Sequence, residues 1–439
     1  MHATNGRRRA RWYTSARGTG AGTGGQVKEI GYLELLRRNG NFRRLWSADV
    51  ASLFGDWCNT IAIYALVSSL SDSPLALGLV FLAKLLPNAL ASPFAGLLVD
   101  RVDRRRLMIA ADLLRAAIVC RFLFVGPGSW VGWVYLLAMA QVTVSAAFQP
   151  ARSAATPNVC APEELATANA LGAITWSTIL TVGAGIGGVL VDLLGVRAVF
   201  AIDAASYLVS AAFLARTVIP QQTEAGTGRG ATDVLRGIAE GVGYMRGHPS
   251  VGRIALAKAL WTVGVGGIYY LFVIIAPTLA PQAPSTAIGL LYAAAGLGTG
   301  IGPVLARALL PERLWPLALG AAMATGGVVY AVFSQLPWVL PVIVLVVLAH
   351  AAGGANWVMS TVLLQRRTED CYRGRVFANE MLELTLVNAS TIACASLVLE
   401  AGLDPRTAVL AWALVQISVG TAYFLWAAAS ERRLAARAA

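Results

Sequence analysis

Charge is what this sequence has least of. Only 13% of its 439 residues are Asp, Glu, Lys or Arg, against roughly 25% in an ordinary soluble chain. So few charges cannot cover a water-facing surface, and a composition that is 57% hydrophobic points to lipid as the surrounding medium. Acids are scarcest: 23 Asp+Glu stand against 35 Lys+Arg, a formal net charge of +12. A basic excess can serve a nucleic acid, so the location of the charges has to decide. Cysteine is sparse too. Cys58, Cys120, Cys160, Cys371 and Cys394 are odd in number, lack metal-ligand spacing and read as small buried apolar side chains. There is no Gly-x-x-x-x-Gly-Lys-Ser/Thr run, hence no phosphate cradle. With no Ser-His-Asp pattern and no metal-ligand cluster, neither an enzyme nor a bound cofactor is expected. The first 44 residues lack an apolar run before a small-residue cleavage site, so the first apolar segment reads as an uncleaved anchor.

What the chain does have is long apolar runs. A helix needs roughly 20 apolar residues to cross the hydrocarbon core. Spans are predicted near 45–70, 76–99, 107–125, 130–148, 168–191, 198–216, 254–276, 287–309, 314–334, 338–362, 379–400 and 408–429. Turn-like connectors join them, such as Ser71-Asp72-Ser73-Pro74 and Gly402-Leu403-Asp404-Pro405. The expected fold is an all-α membrane protein of twelve spans in two six-helix bundles. Its divisions are a basic tail (1–44), a first bundle (45–216), a polar linker (217–253), a second bundle (254–429) and a short tail (430–439). Within the linker, 221–231 reads as flexible. Residues 233–246 read as an amphipathic helix on the inner leaflet, with Val234, Leu235, Ile238, Val242 and Met245 on one face.

Orientation follows from the basic residues. With both termini cytoplasmic, cytoplasmic segments hold 29 Lys+Arg, outer loops hold two (Arg197 and Arg406), and four lie inside spans (Lys84, Arg115, Arg121 and Lys258). Such asymmetry predicts a multi-pass protein of the inner membrane with cytoplasmic termini. It also accounts for the basic excess without any nucleic acid.

The halves echo one another. Gly96-Leu-Leu-Val-Asp100-Arg101 closes the second span and Gly302-Pro-Val-Leu-Ala306-Arg307 the eighth, 206 residues apart. Glu163–Leu171 and Asp370–Phe377 fit nearly the same offset. Two parallel six-helix repeats are the arrangement the major facilitator transporters exemplify.

The run Gly96-x-x-x-Asp100-Arg101-x-Asp103-Arg104-Arg105-Arg106 resembles the signature loop of the major facilitator superfamily. Further pieces resemble a bacterial efflux branch that includes macrolide efflux proteins and the enterobactin exporter: Asn41-Phe42-Arg43, Gly55-Asp56-Trp57, Asp112-Leu-Leu-Arg115, Pro150-Ala151-Arg152, Pro162-Glu163-Glu164-Leu165, Gly187-Gly188 and Arg373-Gly374-Arg375-Val376. Two departures stand out. Gly183-Ala184-Gly185-Ile186-Gly187-Gly188 lacks the proline often found in the fifth helix of such exporters, and Gln149 replaces an acid expected before Pro150.

The resemblance implies a proton-coupled, alternating-access exporter of a small amphipathic compound such as a drug, siderophore or natural product. An importer or facilitator on the same fold is the alternative, and a lipid flippase or membrane-embedded enzyme the alternative of another class. The expected partners are a small-molecule substrate, protons and the bilayer, with no nucleic acid and a monomeric chain. The resemblance also implies a gate formed by Gly96, Asp100, Arg101 and Arg105.

Other candidates come from the residues themselves. In the first span Asp49, Ser52, Asp56 and Asn59 share a face. An intramembrane carboxylate is a functional candidate by default, and burial would suit Asp56 to reversible protonation. An ion pair of Asp56 with Lys84 or Arg115 is the structural alternative. Asp49, His350 and Glu383 are the further proton-coupling candidates, with Glu383 expected to pair with Lys258. Asp203 reads as a snorkelled or paired group near the outer end of its span. Lys84, Asn59, Arg115 and Asn356 are the cavity candidates. The four in-span cations favour an anionic substrate unless Asp56, Asp112 and Glu383 neutralise them.

Overall fold

The computed structural model describes residues 30–220 and 231–438, apart from the side chains at 92–97, 100, 231–235, 340, 434, 435, 437 and 438. Most of the basic tail and most of the linker reading at 221–231 therefore lie outside the described residues. A short α1 (Tyr32–Arg38) precedes α2 (Gly40–Leu70), α3 (Pro74–Arg101), α4 (Arg104–Phe122), α5 (Gly132–Val159) and α6 (Leu165–Ala215). After the linker come α7 (Ala231–Gly247), α8 (Pro249–Leu279), α9 (Pro284–Leu309), α10 (Trp315–Gln335), α11 (Ile343–Arg367), α12 (Asp370–Glu400) and α13 (Pro405–Ala438).

Local chemistry sets the helix ends. The Asn39 side chain accepts from Phe42 N at 2.9 Å and opens α2. Ser73 followed by Pro74 opens α3, and Asp103 caps α4 by accepting from Arg106 N at 2.8 Å. Gly195, at φ 80° and ψ 162°, interrupts α6 in a backbone region that side-chain-bearing residues avoid. It splits that 51-residue run into arms at 165–194 and 196–215.

Ten helical segments among the described residues are long and apolar enough to cross a membrane. One of them holds both arms of α6, which is long enough for two crossings. The 19-residue α4 falls outside that set because Arg104, Arg105, Arg106, Asp112, Arg115 and Arg121 load it with charge. At about 1.5 Å per residue it still spans nearly 30 Å. The total is consistent with twelve spans. Several helices overrun their apolar stretches: α2 starts at Gly40, α12 at Asp370, and α13 continues to Ala438 through the stretch expected to be a tail.

The helices form two bundles. In the first, α6 packs along α2, α3 against α5, and α4 against α5 and α6. In the second, α13 packs along α10, α9 along α11 and α8 along α12. The amphipathic helix differs from expectation. In α7, Tyr244 and Met245 are buried and Val242 packs beside them in a cluster with Val251, Leu364 and Val376. Arg375 of α12 pairs with Glu240 at 3.1 Å. This face is turned onto the second bundle rather than the leaflet; the side chains of Val234 and Leu235 lie outside the described set. The cysteines also depart from their reading: Cys58 and Cys160 are buried, but Cys120, Cys371 and Cys394 are exposed.

Candidate functional site

The first bundle encloses a chain of charged and polar groups. Arg115 of α4 is its hub. The guanidinium bonds to Asp112 one turn earlier, lies 3.6 Å from Asp56 of α2, and stacks on the rings of Tyr207 (4.3 Å) and Phe148 (4.6 Å). The Tyr207 hydroxyl donates to Asp56 and accepts from Gln141 Nε2 at 2.9 Å. Ser210 donates to Asp112 at 2.7 Å. Lys84 of α3 donates to Thr60 at 2.6 Å, and Thr60 donates to the Asp56 carbonyl at 2.7 Å. Asp56 is thus paired with Arg115, one of the two partners weighed from sequence. Burial is not its condition: 34% of its side chain is exposed.

Asp203 does not snorkel: it is fully buried in its arm of α6, and its partner is an amide, Asn59 Nδ2, which donates to it at 2.6 Å. Asp203, Tyr207 and Ser210, at spacings of four and three, make a polar stripe on an otherwise apolar helix. That spacing was the available signal for Asp203, Tyr207 and Ser210, and the reading overlooked it. Asp49 sits apart from Asp56: Arg152 lies 3.1 Å from it and Gln149 Nε2 donates to it at 3.4 Å. Arg152 therefore finds its carboxylate on α2, where Gln149 offers none.

The second bundle is built differently. Lys258 of α8 pairs with Glu380 at 3.0 Å, donates to Thr361 at 2.9 Å, and lies 4.5 Å from the Trp357 ring centre. Glu380, not the expected Glu383, is its partner; Glu383 Oε2 has no hydrogen-bond partner among the described residues. His350 is buried among Tyr269 (4.9 Å), Tyr330 and Phe272 (both 6.1 Å), with Nδ1 3.3 Å from the Tyr330 hydroxyl. Asn356 is buried and donates to the Leu319 carbonyl at 3.2 Å. Arg115 and Lys258 are each held by carboxylates, so they give no support to an anionic substrate.

An aromatic layer crosses between the bundles. Tyr292 of α9 lies 6.1 Å from Trp57 and 6.2 Å from Tyr64, and Tyr270 of α8 meets Phe81 edge-on at 5.7 Å. Beyond it, at the side opposite the termini, the bundles lock. Asp192 of α6 accepts from Thr286 N and Oγ1, both at 2.7 Å, at the start of α9. Glu400 of α12 accepts from Ser73 Oγ (2.7 Å) and Leu75 N (3.1 Å) at the start of α3. Each carboxylate caps a helix of the other bundle, where free N–H groups and the dipole favour an anion. Small residues close the seam: a Cβ at Gly188 would strike the Ser285 carbonyl, and one at Gly289 the Ala184 carbonyl. Farther along the same helices, toward the termini, Leu90, Leu98, Trp176, Val304, Leu309 and Leu386 are exposed. Contact between α6 and α9 continues to Ser177, whose Oγ donates to the Gly296 carbonyl at 3.4 Å.

The signature loop lies on the terminus side. The surroundings of Gly96 and the Asp100 side chain lie outside what the structure describes, and Arg101 is exposed. Arg104 donates to the Ala154 carbonyl at 3.0 Å, and Arg105 donates to the Leu214 carbonyl at 3.0 Å and to that of Ala215. Both bind the last turns of helices in their own bundle, where cations are favoured.

A model of the Major Facilitator Superfamily matches residues 45–379. An uncharacterised MFS-type transporter, YfiS of Bacillus subtilis, is 26% identical over 81% of this chain and 85% of its own. The "Putative bacilysin exporter BacE" of the same species is 29% identical over 42% of this chain and 46% of its own. Among solved structures, a bacterial homologue of the human lysosomal transporter Spinster, inward-facing and unoccupied, superposes with a TM-score of 0.68 at 16% identity, covering 89% of this chain and 97% of that one. A bacterial homologue of the iron transporter ferroportin, also inward-facing, gives 0.65 at 16% identity, covering 89% and 99%. Two bundles of membrane-crossing helices and a family match over most of the chain agree: the chain belongs to the Major Facilitator Superfamily and is a multi-pass membrane transporter.

Proposed function

We propose that the chain exports a small amphipathic compound across the inner membrane by alternating access, coupled to inward proton flow. The termini are cytoplasmic in this reading. The observation that carries it is the cluster of Asp56, Asp112 and Asp203 around Arg115 and Lys84 inside the first bundle. Three acids and two cations at membrane depth leave one carboxyl to be neutralised by a proton. Export is supported by BacE, whose name concerns bacilysin export. Orientation is supported by the Lys+Arg distribution of 29 cytoplasmic against two outer residues. Rejection of water at the aromatic layer and the capped far side would keep the two faces from connecting.

The test is efflux from a pump-deficient host expressing the chain, with a panel of cationic dyes, macrolides, peptide antibiotics and catecholate siderophores. At least one compound should accumulate less in expressing cells, and an uncoupler should restore its accumulation. Greater accumulation on expression would make the chain an importer. Efflux untouched by the uncoupler would remove the proton.

A further inference from the structure

We propose that Asp203 is the protonation site of the first bundle, holding its proton against Asn59 and exchanging it with solvent through Asp56. The proposal rests on the proton-coupled reading for its use in transport, and on geometry for its identity.

Arg115 serves Asp112 and Asp56, and Lys84 is held by Thr60. The groups facing Asp203 are Asp56, Cys58 and Asn59 from α2, Lys84 from α3, Arg115 from α4 and Tyr207 from its own helix. Asp203 itself has 0% exposure, and among the described residues no cation lies within ion-pair reach of it. A carboxylate so placed would be a buried charge without a partner; a carboxylic acid would not. Its contact with Asn59 spans 2.6 Å, short for N–H···O and ordinary for O–H···O. Asn59 Oδ1 is buried without a partner among the described residues. Rotating the amide by half a turn puts that oxygen opposite Asp203, where the acid's own O–H can donate to it; amide orientation is set by such networks.

Gly55 supplies the second observation. A Cβ there would strike Asp203 Oδ1 and Ser206 Oγ. The missing side chain lets the carboxyl rest against α2 beside Asp56, which is 34% exposed and bonded to Tyr207. On release, the Asp203 O–H bond breaks, its electron pair stays on the carboxylate, and the proton bonds to an Asp56 oxygen before passing to water.

Infrared spectroscopy of the purified protein in nanodiscs reads this without any substrate. Near neutral pH the wild type should show the C=O stretch of a protonated carboxylic acid. Asp203→Asn should lose that band, Asp56→Asn should keep it, and Asn59→Ala should shift it. Absence of the band from wild type, or its survival in Asp203→Asn, overturns the proposal; its loss in Asp56→Asn moves the site to Asp56. Because the readout needs no transport, an uncoupler-insensitive efflux would sink the coupling reading and leave the site standing.

Discussion

The two bundles share an architecture and differ in what they bury. The first holds Asp56, Asp112, Asp203, Lys84 and Arg115 in one connected cluster, whereas the second holds the pair Lys258–Glu380, with Glu383 one turn on, and a histidine enclosed by aromatic rings. Buried charge is expensive unless paired and hydrogen-bonded. Both bundles hold one more acid than cations; they differ in that Arg115 ties the acids of the first together, whereas Glu383 of the second stands outside the Lys258–Glu380 pair with Oε2 unbonded among the described residues. In the proposed reading the proton is carried by the connected cluster of the first bundle. The contrast also explains why a repeat visible in loop residues fades inside the helices: the ends serve packing in both bundles, and the interiors have parted company.

The strongest test of this contrast is Arg115→Met. It strands Asp56 and Asp112, and removing one member of a buried pair costs roughly 3–5 kcal/mol. A large drop in melting temperature of the detergent-solubilised protein is expected, partly recovered by adding Asp112→Asn. An unchanged melting temperature would show that Arg115 is not the hub.

Next comes the second bundle. The double variant Lys258→Met/Glu380→Gln removes both members of the pair, which is often neutral or stabilising by about 1–4 kcal/mol. Melting should stay level or rise, and efflux of the panel compound should keep its sensitivity to the uncoupler. Should the double variant transport without a proton gradient, the division of labour collapses.

The smallest effect belongs to His350→Met. Methionine is close to histidine in volume, and a volume-conserving core exchange costs under about 1.5 kcal/mol. Gradient-driven efflux should persist; abolished efflux with intact folding would place a proton carrier in the second bundle after all.

Much of this molecule was legible in its sequence, for identifiable reasons. Hydropathy finds the spans because lipid demands unbroken apolar helices. The loop at 96–106 gave away the family through its spacing of glycine, acid and arginine. What stayed hidden depends on contacts between helices. Asp203, near the start of a span read from 198, could snorkel or pair; α2 approaches it at Gly55 and buries it against Asn59, which no single-helix pattern reports. Glu380 and Glu383 lie a turn apart on one helix, so spacing alone did not choose the partner of Lys258. Arg152 lost an acid at Gln149 and recovered one from Asp49, a compensation visible only once α2 and α5 are side by side. Arg105, placed in a gate by resemblance, binds the end of α6, where the Leu214 and Ala215 carbonyls accept it.

The far-side caps carry one more consequence. Asp192 near the end of the first bundle's fifth span grips the start of the second bundle's second span, and Glu400 near the end of the second bundle's fifth span grips the start of the first bundle's second. Each bundle supplies one acid and one receiving helix end, so the same handshake occurs twice about an approximate twofold axis. This is the logic of an isologous interface, in which a single surface is complementary to itself. A lone six-helix unit with both features closes against a second copy of itself, so gene duplication and fusion inherit a working seal rather than having to evolve one.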